Sequence, residues 1–383
     1  GQVLRFDTGS HDWQFREGVV VPEKAIRSVT VHCLLRGEHS GQAWFDDLTV
    51  QEVQGELTVF DSAQVTRVRP DLRPYGGETL TLTSGDGLVL SLASVGGAVT
   101  GLKLGDQAIH AADAAYAAGF MVRDVAGASD YLHVGGSLTQ SENTITQRSA
   151  IAPLGLEFAA TYTATADRIG IHAVLTDTRG TDRALTLYLA LPIAGEGWTW
   201  HDDIRTSREV SGLSEFANLY GLGDLGATGH QSQYPWAALS GPAGGIALAT
   251  PLDSPRIFRL VQNPVTDQFY AAFDLGLSPL TAKFPRQATV DLLLYRFDGA
   301  WGYRSAAQGY YDRFPEAFAR RVPAEREGIW VAFSDLSRIN DVADFGIAFH
   351  ELASPEQVGF DEGAGVLSFR YVAEPWSHWL PID

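Results

Sequence analysis

The chain has 383 residues, 45% of them hydrophobic, with no low-complexity tract and no long run of like charge, so it is globular and long enough for two or three domains. A net charge of -18 leaves no basic patch to release counterions from nucleic acid, and it makes a neutral polysaccharide a better partner than a polyanionic one. The single cysteine, Cys33, excludes an intrachain disulfide and a Cys/His zinc cluster, and no apolar run reaches the roughly 18 residues that a membrane-spanning helix needs.

Residues 1–53 read as β. Leu4–Phe6, Val19–Val21, Ser28–Leu35 and Ala43–Val50 are short runs separated by Gly, Pro, His and Ser, without helical period. So small a piece cannot bury two sheet faces, so it belongs to a larger sandwich. The phrases FDTGSHDWQ, VVVPEKAIRSVTVHCLLRG and GQAWFDDLTVQEV resemble the closing half of a galactose-binding-like jelly roll, a fold of many carbohydrate-binding modules. That resemblance implies a structural calcium near the last strand, carried to Asp46 or Asp47. By themselves these two residues read equally well as a solvated acidic turn.

From 54 to 300 the strands lengthen and alternate: Leu80–Thr83, Leu88–Leu92, Val99–Leu104, Leu156–Thr165, Ile169–Leu175, Ala184–Leu191, Gly245–Ala249, Gln268–Phe273 and Val290–Phe297. SGDG and GG mark turns, GLGDLG at 221–226 reads as another, and the one helical stretch is Ala111–Ala118. Two large antiparallel sheets packed face to face are expected. GAVTGLKLGDQAI, LEFAATYTATADRIGIHAVLTDTRGTDRALTLYLALPI, GGIALATPLDSPRIFRLV and YAAFDLGLS resemble the supersandwich domain of the galactose-mutarotase-like class. The resemblance raises an aldose epimerase as one reading, with a Glu/His acid–base pair. His172, His201, His230 and Glu209 are available, but their neighbours do not match the motifs, and His172 within an apolar strand reads as a structural histidine.

GWTWHDD places Trp198 and Trp200 on one face of a strand, with His201 and the acids Asp202 and Asp203 beside them. Such a face is either a sugar platform or core. Tyr234 and Trp236 in QYPW carry the same two readings.

Residues 301–323 form a helical linker. Tyr303, Ala307, Tyr310, Tyr311, Phe314 and Phe318 recur at spacings of three and four, Pro315 fits the first turn of a second short helix, and Pro323 stops it. Ile329–Phe333 is an unbroken apolar run, as in a strand buried on both faces of a parallel sheet. Residues 324–383 resemble the opening of a glycoside-hydrolase (β/α)8 barrel, with Ile329–Phe333 as first strand, DVADFGIAFHE at 341–351 as the region after it, and Val366–Val372 as second strand. A closed barrel needs on the order of 250 residues against the roughly 60 here, so the chain is expected to be an internal piece of a longer protein.

Glycoside hydrolysis needs two carboxyl groups across the scissile bond. Asp335, Glu351 and Glu374 stand at or near strand ends, with Asp335 and Glu374 the catalytic candidates. Glu374 is followed by Pro375, Trp376, His378 and Trp379, aromatic and polar groups that suit a sugar subsite. As a helix cap, Asp335 would be equally at home.

The expected fold is mainly β: a partial jelly roll over 1–53, a supersandwich over 54–300, a helical linker over 301–323 and the first strands of an incomplete barrel over 324–383. The expected function is that of a secreted or cell-surface glycoside hydrolase acting on a neutral glycan. It involves no nucleic acid, no membrane insertion and no cofactor beyond the calcium. The alternatives are a noncatalytic glycan-binding or structural surface protein and an epimerase-like isomerase.

Overall fold

The computed structural model describes residues 4, 6, 8–16, 27–35, 40–50, 58–61, 63–65, 75–111, 118–352 and 355–370. The chain divides into two compact units, Gly1–Phe314 and Pro315–Asp383.

Two antiparallel sheets build the first unit. The larger has thirteen strands, and its centre runs Gly244–Ala249, Gln287–Phe297, Ile169–Asp177, Leu156–Ala164 and Thr144–Ile151. The smaller has six, in the order Phe216–Ala217, Ile257–Asn263, Gln268–Leu277, Arg183–Pro192, Gly119–Asp124 and Leu132–His133. Leu156–Ala164 and Ile169–Asp177 of the larger sheet alternate strictly: in the latter Ile169, Ile171, Ala173 and Leu175 are buried, while Gly170, Val174 and Thr176 are half-buried and His172 is exposed. Their inward side chains meet those of the smaller sheet, including Leu187, Phe269 and Phe273, in one continuous core. In the smaller sheet the alternation is lost, because that sheet is covered on both sides. Arg183–Pro192 and Gln268–Leu277 are buried almost throughout, the core on one face and Phe60, Met121, Tyr131, Tyr188 and Tyr270 on the other. The expected sandwich and its strands are therefore present.

The helical linker also forms. Gly302–Arg313 is a helix whose Ala306, Ala307 and Tyr310 pack with Trp236 and Tyr295, and the Tyr310 hydroxyl donates to the Thr250 carbonyl at 2.7 Å. Pro315–Phe318 is a separate short helix.

Between 4 and 50 the described residues contain no strand. A strand needs a ladder partner, and without one the apolar side chains of Ser28–Leu35 and Ala43–Val50 stay exposed, Trp44 by 72%. Val19–Val21 and most of the Ala-rich stretch near 111–118 lie outside the described residues.

The second unit holds a three-stranded parallel sheet in the order Ile329–Ala332, Ile347–Leu352, Leu367–Arg370, with the helix Pro355–Gly363 between the last two. Three expectations need correction here. The segment after the first strand is itself a strand, and the one near Val366–Val372 is third, not second. Two 3-10 turns, Leu336–Arg338 and Val342–Phe345, make the first crossover, and Gly346 in the left-handed region ends it before Ile347. The first strand is also not buried on both faces. Val331 packs on Leu336, Val342 and Val366, whereas Trp330 is 53% exposed and stacks on Phe369 with ring centroids 6.5 Å apart.

Candidate functional site

The sequence-derived sites fall into three groups. Glu374, Trp376, His378 and Trp379 lie outside the described residues. Asp46 and Asp47 are exposed, and the Asp46 carboxylate accepts the neighbouring Asp47 N–H at 2.8 Å; among the described residues no three His, Cys, Asp or Glu side chains converge on a metal position. The rest belong to local networks.

Trp198 and Trp200 share a face, and that face is the core. Trp200 is fully buried against Phe269, and its ring N–H donates to Asp202 at 3.0 Å. Asp202 in turn takes both Arg208 bonds at 2.7 Å, so it stiffens the strand pair. Asp203 caps its turn through the N–H groups of Arg205 and Thr206. His201 bonds the Ser240 hydroxyl at 2.8 Å, and burial pushes its imidazole below the usual range. Only Trp198 keeps an open side, at a 420 Å³ hollow beside Ile109 and Pro242.

In the second unit Asp335 is an N-cap. Its carboxylate accepts from the Ser337 N–H at 3.1 Å and hydroxyl at 2.6 Å and pairs with Arg338 at 3.1 Å, and the Ser337 hydroxyl bond leads in holding it below the usual carboxylate range. Glu351 is buried at the end of its strand. Next to it, fully buried His350 bonds Asp361 through Nδ1 and the Ser334 carbonyl through Nε2, each at 2.7 Å. This pair ties the helix Pro355–Gly363 to the loop that follows the first strand.

A site that the sequence did not point to lies on the outer face of the larger sheet. Strand register places Thr161 opposite His172, and His172 opposite Asp291. Period-two alternation turns all three side chains away from the core. His172 Nδ1 meets Asp291 Oδ1 at 2.7 Å, and the Ser254 hydroxyl donates to Asp291 Oδ2 at 2.9 Å. Because a carboxylate only accepts, it holds a proton on Nδ1 and leaves Nε2 to face a ligand.

Ser254 is placed by its loop. Arg256 anchors that loop by donating from Nε to the Thr289 carbonyl at 2.8 Å and from Nη2 to the Thr289 hydroxyl at 3.0 Å.

The next row across the sheet is Thr163, Gly170 and Leu293. Gly170 leaves a gap in the floor; a Cβ added there would approach nothing nearer than the Thr163 carbonyl at 4.0 Å. The result is an open groove of about 600 Å³, walled by Pro251 and Asp253 on one side and by Arg313 and Phe314 at the helix end. Arg313 is spoken for, lying 4.2 Å from the Tyr295 ring centroid and 3.0 Å from Asp167. The groove thus offers apolar surface from Leu293, Pro251 and Phe314 beside an imidazole, hydroxyls and carboxylates.

Sequence reading missed this site because His172 and Asp291 are 119 positions apart. The available signal was a lone histidine on the outward phase of an otherwise apolar strand.

Neither a protein-family model nor a curated protein matches the sequence. Among solved structures, the chain is similar to a putative aldose 1-epimerase from Escherichia coli K12, with 12% identity over 58% of this chain and 99% of that one and a TM-score of 0.35. It is similar to a galactose mutarotase-like protein from Lactobacillus casei, with 13% identity over 57% and 100% and a TM-score of 0.37. A GH36 α-galactosidase from Geobacillus stearothermophilus shares 11% identity over 78% of this chain and 56% of its own, with a TM-score of 0.45.

Proposed function

We propose that this is a carbohydrate-active protein and that its sandwich holds a neutral glycan in the groove along Thr161, His172 and Asp291. The observation that carries this is the His172–Asp291–Ser254 chain beside a floor left open by Gly170. A pyranose has a C–H face and a rim of hydroxyls. The first suits Phe314, Leu293 and Pro251, and the second suits His172 Nε2 and the hydroxyls of Thr161, Thr163 and Ser254.

Asp291 keeps the imidazole in one tautomer and orientation, so less order is lost on binding. A single neutral hydrogen bond contributes about 0.5–1.5 kcal/mol net, so several are needed for useful affinity.

Hydrolysis, in this proposal, belongs to the second unit, whose parallel strands present acids at their carboxyl ends in the manner of a barrel enzyme. Asp335, ionised and engaged as a cap, serves there as a loop anchor instead of a proton donor, and Glu374 is the carboxylate to test first. A secreted or cell-surface setting fits a glycan substrate.

Calorimetric titration with a panel of neutral oligosaccharides tests the groove. His172→Ala should weaken binding about tenfold, the equivalent of one hydrogen bond. Gly170→Tyr, at a position with room for a side chain, should abolish it by filling the floor. Circular dichroism should match wild type in both. If both folded variants bind as wild type does, the groove is not the glycan site.

A further inference from the structure

A second constellation lies on the outer face of the smaller sheet. Tyr188, Arg259, Tyr270 and Asp274 come from its three central strands, on the phase that points away from the core. They hold one another in place. Arg259 donates to both Asp274 oxygens, at 2.7 and 2.9 Å, and the Thr186 hydroxyl and the Ala227 N–H also serve that carboxylate, at 3.0 and 2.8 Å. The Tyr270 hydroxyl donates to Glu215 at 2.6 Å, and Asn263 Nδ2 donates to the same oxygen at 3.1 Å. None of these bonds involves residues 58–65.

Into the space between these walls a short hairpin, Thr58–Phe60 and Ala63–Val65, delivers two side chains from far away in sequence. Phe60 is fully buried; its ring stacks on Tyr270 with centroids 4.6 Å apart at 24°, and it meets the edge of Tyr131 at 5.1 Å. The Asp61 carboxylate accepts from Arg259 Nε, from Arg259 Nη2 at 2.8 Å and from the Tyr188 hydroxyl at 2.9 Å. The Asp61 N–H donates to Glu215 at 2.9 Å and to the Tyr270 oxygen at 2.8 Å. Arg259, Tyr188, Tyr270 and Glu215 of the walls thus all bond one residue of the chain itself.

The occupant sits there at a cost. Asp61 has φ +52°, a left-handed conformation disfavoured for a side chain with a Cβ. Burial pushes its carboxyl above the ordinary range in spite of Arg259, and Asp274 adds to the rise. Arg259 bonds both oxygens of Asp274 as well as those of Asp61, so the cation already has one bidentate carboxylate from the sheet itself.

We infer that this face is a preformed pocket for a carboxylate carried on a six-membered ring, and that Phe60 and Asp61 are a built-in occupant that closes it. The Nε and Nη2 fork of Arg259 with Tyr188 recognises the carboxylate, and the Tyr270 and Tyr131 rings take the flat side of the ligand. Ring carboxylates come from two sources, hexuronates and aromatic acids. A tethered occupant competes at millimolar effective concentration, so an outside ligand binds the wild-type chain only weakly.

The double variant Phe60→Ala/Asp61→Ala removes the occupant. Titrated with D-glucuronate, benzoate and D-glucose, it should keep the wild-type circular dichroism and bind one of the two acids at least tenfold more tightly than wild type, with glucose unchanged. Which acid gains affinity identifies the source. A folded variant with no gain for either acid overturns the inference, and so does a variant that fails to fold, because the walls would then depend on the hairpin. In wild-type protein the Asp61 amide should exchange with solvent at least tenfold faster than the Tyr270 amide of the sheet beneath. Equal rates would make the hairpin a fixed part of the fold and overturn the pocket independently.

Discussion

A histidine in a strand acquires a role from what stands opposite it. His172 is half-exposed, and its one fixed partner, Asp291, decides which nitrogen is offered to a ligand. Asp291→Ala therefore should let the imidazole swing and change tautomer, and glycan affinity should fall about as far as with His172→Ala. The pair is exposed enough that its loss should change stability by less than about 1 kcal/mol. Titration against urea unfolding separates the two effects; a large stability loss at unchanged affinity would make the pair structural. Asp335 and Asp203 show the opposite outcome. Their carboxylates face backbone N–H groups of their own turns and are consumed by them.

At the scale of elements, the helix Gly302–Arg313 closes one end of the groove, and its seat is aromatic. Tyr310 lies 4.8 Å from both the Trp236 and Phe314 rings, and Phe314 lines the groove. Tyr310→Ala should cost about 3–5 kcal/mol, as for other buried aromatics, and should weaken glycan binding through Phe314. Thermal unfolding and titration of the same variant check both parts, and a variant as stable as wild type would show that the helix is not held by this contact. In the second unit, the His350–Asp361 pair similarly joins helix, strand and strand-end loop.

The whole sandwich carries a pH-dependent term at Arg183, which bridges Asp124 and Asp177 in a buried ion-pair cluster. Burial opposes ionisation of Asp177, but the Gly180 N–H, Arg183 and the Thr181 N–H outweigh it and hold the carboxyl below its usual range. A depressed folded-state value means that the stabilisation is complete above the unfolded value of about 3.9 and is lost as pH falls through the folded one. Urea midpoints measured from pH 6 down to 3 should therefore fall, and Asp177→Asn should flatten that fall while lowering stability at pH 6. An unchanged slope in the variant would assign the acid limb to other carboxylates.

The sandwich was legible because burial on one face imposes a period of two, and Leu156–Thr165 and Ile169–Leu175 show it without ambiguity. The aromatic linker was legible for the same reason at helical spacing. Alternation also showed that Trp198 and Trp200 share a face, but it could not say that this face was the core, because a sequence period is the same for either side of a sheet. The crossover at 341–351 was misread, since a 3-10 connection leaves no long helical pattern to separate one strand from the next. The groove and the Arg259 pocket were beyond any local signal. Strand register, set by packing over the whole sandwich, brings His172 to Asp291 and Asp61 to Arg259 across 119 and 198 residues, and only the tertiary structure fixes a register.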